Sequence, residues 1–254
     1  KILEEGGRIP TIYIEAKAKI SVEATVREAL PLLEDYKNIG LVTTVQHVHT
    51  LNEVRSLLHK AGKRVSVGEP SGWAKYPGQV IGCDYSAAES ISDEADAFLF
   101  VGGGKFHALG VALATGKPTV VADPYEHRAY SLDEEVRRVI KRRWASIHEA
   151  KGAENFGVLI GLKPGQKRME EALRIKEKLE KGGRRATLLA LREVVPEALM
   201  EFPQMEAFVN TACPRLSLDD ASRFSKPILT YKETFVMLGE MSWGELCTKG
   251  WFRR

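Results

Sequence analysis

The chain has 254 residues, 44% hydrophobic and 28% charged, the balance of a globular protein able to bury one large or two ordinary domains. Its formal net charge of +3 is too small to argue for nucleic acid from charge alone. No apolar run approaches the ~20 residues of a membrane span and no signal peptide is visible. Three widely spaced cysteines, Cys83, Cys213 and Cys247, speak against a disulfide framework and for a cytoplasmic setting.

Residues 1–8 are charged and Gly-ended and read as the remnant of a preceding unit or a linker. A short strand is expected over 11–14 and an amphipathic helix over 20–36, with Ser21 as a cap and Val22, Val26, Ala29, Leu30 and Leu33 on one face. Residues 39–45 read as a buried strand, 50–60 as a helix ended by Gly62, and 64–67 as a strand. A loop without periodicity follows, carrying Cys83. Residues 97–101 form a strand running into Gly102, Gly103 and Gly104, 107–115 a small-residue helix, and 118–122 a strand ending at Asp123. Residues 132–150 make a long helix. Its apolar stripe is Val136, Val139, Ile140, Trp144 and Ile147, while Arg137, Arg138, Lys141 and Arg142 face solvent. The beat of strand and helix argues for parallel α/β layers.

Phe156 restarts the beat. Ile39-Gly40-Leu41-Val42 matches Phe156-Gly157-Val158-Leu159, and Ala97-Phe98-Leu99 matches Ala207-Phe208-Val209. The glycine-ended helix before Val65 matches that before Ala186, and Lys117-Pro118 matches Lys226-Pro227. Four anchors in the same order, at offsets of about 109 to 121 residues, indicate an internal duplication. The expected architecture is α/β with two duplicated units, each a roughly four-stranded parallel sheet flanked by helices. The expected boundaries are 9–152 for the unit carrying Cys83, 153–240 for the unit carrying Cys213, and 241–254 for a surface tail anchored by Trp243 and Trp251.

In such sheets ligands bind at the C-terminal strand ends. Those ends carry Gln46, His47 and His49, then Gly103, Gly104 and His107, then Asp123 and Tyr125, then Gln166, and lastly Cys213 and Arg215. Gln79 and Cys83 join them from the long loop. Residues 207–211 read as a buried strand halted before Pro214, which has no N–H for a ladder, and Ser217 reads as the cap of the next helix. The glycines permit close approach of a ligand to backbone, and a helix start near Gly165 suits a carboxylate or phosphate. Gly102-Gly103-Gly104 lacks the spacing of a dinucleotide fingerprint. No cysteines lie two or three apart, so spacing shows no metal motif. A buried structural role for each cysteine stays open, as does a thiolate site assembled from distant cysteines. His47 and His49 read as hydrogen-bonding groups rather than zinc ligands.

The stretches Gly78-Gln79-Val80-Ile81-Gly82-Cys83-Asp84-Tyr85-Ser86, Ala212-Cys213-Pro214-Arg215-Leu216-Ser217-Leu218-Asp219-Asp220, Val101 to His107 and Asp123-Pro124-Tyr125 resemble the archaeal diphthamide-biosynthesis enzymes. Thr43 to His47 and Lys141 to Trp144 fit as well, so the resemblance covers nearly the whole chain. It implies three α/β units per protein, each giving one cysteine to a [4Fe–4S] cluster, and a homodimer. It also implies radical cleavage of S-adenosylmethionine between sulfur and the γ-carbon. The 3-amino-3-carboxypropyl group then passes to a histidine of translation elongation factor two, the first step of diphthamide biosynthesis, with an electron donor as further partner. By motif, Cys83 and Cys213 correspond to the second and third cluster ligands, and the first unit would lie before Lys1. Cys247 matches no family ligand and is expected to be a bystander thiol, the alternative being a substitute third ligand. The resemblance leads to S-adenosylmethionine in a cleft lined by Gln46, Gly103, Gly104, His107, Asp123, Gln166 and Arg215, with Cys83 and Cys213 close together. Arg215 is either a carboxylate partner of the substrate or a structural partner of Asp219. The alternative function is a non-catalytic partner subunit or metal-binding scaffold of the same family.

Overall fold

The computed structural model describes residues 12 and 14–252. Residues 1–8 lie outside the described residues. The strand expected over 11–14 falls in part on Thr11 and Tyr13, also outside them, and Ile12 and Ile14 are in no strand. The described chain divides into two compact units, with Val139–Leu246 in one and residues 14–138 and 247–252 in the other.

The Cys83 unit runs α1 (Glu23–Ala29), β1 (Asn38–Thr43), α2 (Leu51–Lys60), β2 (Arg64–Ser66), α3 (Ser86–Glu89), β3 (Ala97–Val101), α4 (Lys105–Thr115), β4 (Thr119–Asp123) and β5 (Arg128–Ser131), and then enters α5 (Asp133–Lys151). Its sheet has the order β2-β1-β3-β4-β5; β1 to β4 are parallel and β5 is antiparallel to β4. β3 and β4 are buried along their whole length, as strands covered on both faces must be. One face packs Val22, Val26 and Leu33 against Ile39, Leu41 and Leu99. The other packs Ala108 and Val111 against Phe98, Phe100 and Val121. The fifth strand is additional to the four expected. It is short and half-exposed, so no apolar run announced it. The helix expected over 20–36 is only two turns long, because Pro31 ends it in a short 3-10 turn. Its N-cap position is Val22, and Ser21 instead accepts the Glu23 N–H at 3.4 Å.

The Cys213 unit continues α5 into β6 (Asn155–Gly161), α6 (Met169–Lys181), β7 (Arg185–Leu191), α7 (Pro196–Met200), β8 (Ala207–Asn210), α8 (Arg215–Leu218), β9 (Ile228–Thr230), α9 (Tyr231–Leu238) and most of α10 (Trp243–Lys249). Its four strands are all parallel, in the order β7-β6-β8-β9. Thr230 and Glu233 close a capping box at the start of α9.

Both sheets therefore repeat one order, second-first-third-fourth, and the repeat extends to register. Ile39 pairs with Ala97 and Gly40 with Phe98; Phe156 pairs with Ala207 and Gly157 with Phe208. A Cβ on Gly40 would run into the Phe98 ring, and one on Gly157 into the Phe208 ring. The same contact thus requires a glycine in each copy. A carboxylate before the third strand also repeats. Asp96 accepts the Lys37 and Asn38 amides at 3.0 and 2.8 Å, and Glu206 accepts the Glu154 and Asn155 amides at 2.6 and 3.0 Å. Amide donation holds both carboxyls below their ordinary values.

In α5, Arg137, Arg138, Lys141 and Arg142 are exposed, as expected. The buried stripe is Val139, Arg143, Ile147 and Ala150, with Arg143 inside it and Trp144 left 40% exposed. Trp144 instead packs on Trp243, ring centroids 4.8 Å apart. The C-terminal residues fold back within the Cys83 unit, with Trp251 buried and Phe252 4.5 Å from the ring centroid of Tyr85.

Candidate functional site

Cys83 stands at the tip of a two-residue turn. Ile81 and Asp84 exchange backbone hydrogen bonds of 3.0 and 2.9 Å, leaving Gly82 and Cys83 as the corner, with Cys83 exposed. The loop is fastened to the end of β1, where Thr43 N donates to Gly78 O and Val80 N to Thr43 O, both at 2.8 Å. Gln79 is buried, and its Oε1 accepts the Lys75 and Tyr76 amides at 2.9 and 3.1 Å. Asp84 accepts the amides of Trp73, Ala74 and Ser86. Burial pushes its carboxyl up, but the hydrogen bonds from Ser86, Ala74 and Trp73 outweigh that and leave it below its ordinary value. Gly82 lies against the Phe106 ring, which its Cβ would overlap, so the corner rests on the first turn of α4. Beside it is a cavity of about 450 Å³ whose walls include Trp73, Cys83, Asp84, Glu89 and Phe252.

The other strand ends of this unit converge on the same segment. Gly104 starts α4 with a φ of 82°, a left-handed conformation that favours glycine. Asp123, 1% exposed, accepts the Gly104 N–H at 3.2 Å with one oxygen, and the Tyr125 and Glu126 amides at 2.9 and 3.2 Å with the other. One carboxylate therefore fixes both the glycine loop and the turn after β4. His107 is half-buried and stacked on Phe100. Gln46 is exposed, and its carbonyl accepts the Ala18 amide at 2.9 Å.

In the other unit Cys213 follows β8 and is half-buried. Asn210, which the sequence reading missed, organises its loop. Asn210 Nδ2 donates to the Cys213 carbonyl at 2.7 Å and to Ser217 Oγ at 3.1 Å, and its Oδ1 accepts the Ala212 amide at 2.9 Å. Ser217 does not cap the helix; α8 starts at Arg215 behind Pro214, which already holds helical dihedrals, and Ser217 is buried inside it. Thr211 Oγ1 donates to Leu159 O at 2.8 Å. Gln166 lies beside this loop. A Cβ on Gly161 would come within 2.8 Å of Ala212 and 3.0 Å of Gln166, so glycine at the end of β6 lets both approach. Gly165 sits in a turn, and α6 begins only at Met169. Arg215 is exposed, and its Nε donates to Asp219 at 3.0 Å.

Cys83, Gly103, Gly104, His107 and Asp123 are thus gathered around the start of α4, and Gln166 lies beside the loop of Cys213. Gln46 and Arg215 are at strand ends but point outward enough to be exposed. No cysteine is in a disulfide. Burial raises the Cys247 thiol above its ordinary value and so disfavours its thiolate form. Among the described residues no group of three His, Cys, Asp or Glu side chains is arranged to hold a metal ion. None of the described helices is long and apolar enough to cross a membrane.

Comparison with known proteins agrees with the motifs. The family model described as "Putative diphthamide synthesis protein" matches residues 1–247. The 2-(3-amino-3-carboxypropyl)histidine synthase of Pyrococcus horikoshii is 40% identical over 232 residues, 91% of this chain and 66% of that protein. Subunit 1 of the enzyme of the same name from Schizosaccharomyces pombe is 28% identical over 94% of this chain and 55% of its own length, and that from Homo sapiens 32% identical over 81% and 46%. A crystal structure of Dph2 from Pyrococcus horikoshii with a 4Fe-4S cluster superposes with a TM-score of 0.81 at 39% identity, covering 89% of this chain and 64% of that one. The chain thus spans two thirds or less of the length of these relatives. With its duplicated sheets and both cysteine loops inside the matched residues, the chain belongs to the diphthamide synthesis protein family.

Proposed function

We propose that the protein transfers a 3-amino-3-carboxypropyl group from S-adenosylmethionine to a histidine of translation elongation factor two, with Cys83 and Cys213 as thiolate ligands of a [4Fe–4S] cluster. The observation that carries this reading is the 40% identity to the archaeal synthase across 91% of the chain. The residues present fit a thiolate-held group. Each unit offers one cysteine outside any disulfide on a strand-end loop, and each loop is held by neighbours other than the thiol. When bound, such a cluster supplies a low-potential electron and, with three protein ligands, an iron open to substrate.

The chain's own residues supply placement. Asp123 fixes the glycine loop and Asn210 fixes the Cys213 loop, so backbone geometry is set before a ligand arrives. Gly103, Gly104, His107, Asp123, Gln46, Gln166 and Arg215 are the proposed surroundings of the substrate. An elongation factor as protein acceptor, an electron donor, a homodimer and the cytoplasm complete the reading. The relatives named subunit 1 favour one alternative, a partner subunit within a larger assembly. Anaerobic purification followed by reconstitution with iron and sulfide separates the two. A brown protein that bleaches with dithionite and forms 5′-methylthioadenosine supports the enzyme; a colourless one supports the partner role.

A further inference from the structure

His47 is 1% exposed, and its Nε2 lies 3.1 Å from the phenolic oxygen of Tyr125. Its Nδ1 is buried with no hydrogen-bond partner among the described residues. The backbone on both sides is pinned, with His47 N donating to Thr44 O at 3.0 Å and Thr50 N to His47 O at 2.9 Å. Tyr125 is held from the other direction by Asp123, its ring lies against Gly103, and the residue is 52% exposed. The two rings meet edge to face at 5.5 Å. A buried histidine thus touches a half-exposed tyrosine at the segment on which the Cys83 corner rests.

Either neutral tautomer leaves Nδ1 without a partner, but the two are not equal. A buried N–H without an acceptor is rarer and costlier than a buried lone pair without a donor. This cost favours a bare Nδ1 with the proton on Nε2. We propose that neutral His47 donates from Nε2 to the Tyr125 oxygen and so directs the phenolic O–H outward, onto a lone-pair acceptor of the bound substrate. His47 is the positioning residue, and Tyr125 is the residue that touches substrate. The imidazolium form would bury an unpartnered Nδ1–H. Burial first, and then His49, lower the His47 pKa, with Asp123 opposing them.

This inference rests on the proposed function and supplies it with a donor. Two acceptors share the required chemistry, a carboxylate oxygen of S-adenosylmethionine and the ring nitrogen of the acceptor histidine. Tyr125→Phe removes the donor, and Gly103→Ala displaces the ring that carries it. Loss of one neutral hydrogen bond corresponds to roughly a 3- to 10-fold loss of affinity. If both variants weaken S-adenosylmethionine binding by that factor in equilibrium dialysis, the donor serves the sulfonium substrate. If binding is unchanged but KM for the elongation factor rises likewise, it serves the acceptor. If wild type binds and reacts while neither constant moves in Tyr125→Phe, the inference is overturned and the proposed function stands. If wild type neither binds nor reacts, the proposed function fails first. Long-range ¹H–¹⁵N correlation of the purified protein is independent of activity. It should show His47 as the Nε2–H tautomer at neutral pH, and an Nδ1–H tautomer would overturn the proposal.

Discussion

Arg143 and Glu233 close on each other as a bidentate ion pair inside the Cys213 unit, Nε to Oε1 at 2.8 Å and an Nη to Oε2 at 2.7 Å. Both side chains are essentially inaccessible, at 2% and 0%. Arg143 also donates to the Ile228 carbonyl at 2.7 Å, and Glu233 accepts the Thr230 amide at 2.7 Å. The pair therefore ties α5 to the end of β9 and the start of α9 with nearly every polar atom engaged.

Removing one partner strands a buried charge. Arg143→Ala should cost about 3–5 kcal/mol, whereas the double replacement Arg143→Met with Glu233→Leu should cost much less. Urea unfolding of the three proteins checks this, and equal losses for the single and double replacements would contradict it.

The duplicated glycine contact makes a matched prediction. Gly40→Ala and Gly157→Ala each force a methyl into a phenylalanine ring, and overpacking of this kind costs about 1–3 kcal/mol. Thermal denaturation of both variants should show losses of similar size. A neutral outcome at either position would mean that its ring is free to move aside.

These two relationships differ in how far the sequence revealed them. Gly40 and Gly157 stood in matching quartets, so the repeat followed from spacing, whereas the strand order depends on pairing between distant segments and emerged only with the structure. Arg143 lay among exposed arginines of α5, and its partner is 90 positions away. Helical periodicity assigns a face by hydrophobicity, so it chose Trp144 for the core. Strand β5 was hidden for a related reason, since an antiparallel edge strand of four residues needs no apolar run. At the sites, the cysteine loops were legible from their glycines and prolines. Asn210, which holds the Cys213 loop, looked like any strand-end polar residue.

His47 carries a pH signature. Its folded pKa is depressed below the usual 6.5, first by burial. The unfolded chain therefore binds a proton at a pH where the folded one does not. The stabilisation is fully present above 6.5 and is lost as pH falls from there through the folded value. Melting temperatures across this window should fall more steeply for wild type than for His47→Gln. Parallel curves would show that His47 titrates normally.

Each cysteine loop can be tested separately. Cys83→Ser and Cys213→Ser should each abolish or strongly reduce the charge-transfer absorbance after anaerobic reconstitution, while Cys247→Ser should leave it intact. Full absorbance in Cys83→Ser would remove that residue from the ligand set.

The most direct test of the proposed function is intact-protein and peptide mass spectrometry of translation elongation factor two. It would be incubated anaerobically with the reconstituted protein, S-adenosylmethionine and dithionite. The account predicts one added 3-amino-3-carboxypropyl group on a single histidine, formed together with 5′-methylthioadenosine. An unmodified elongation factor, with iron and sulfide incorporated and the substrate intact, would contradict it.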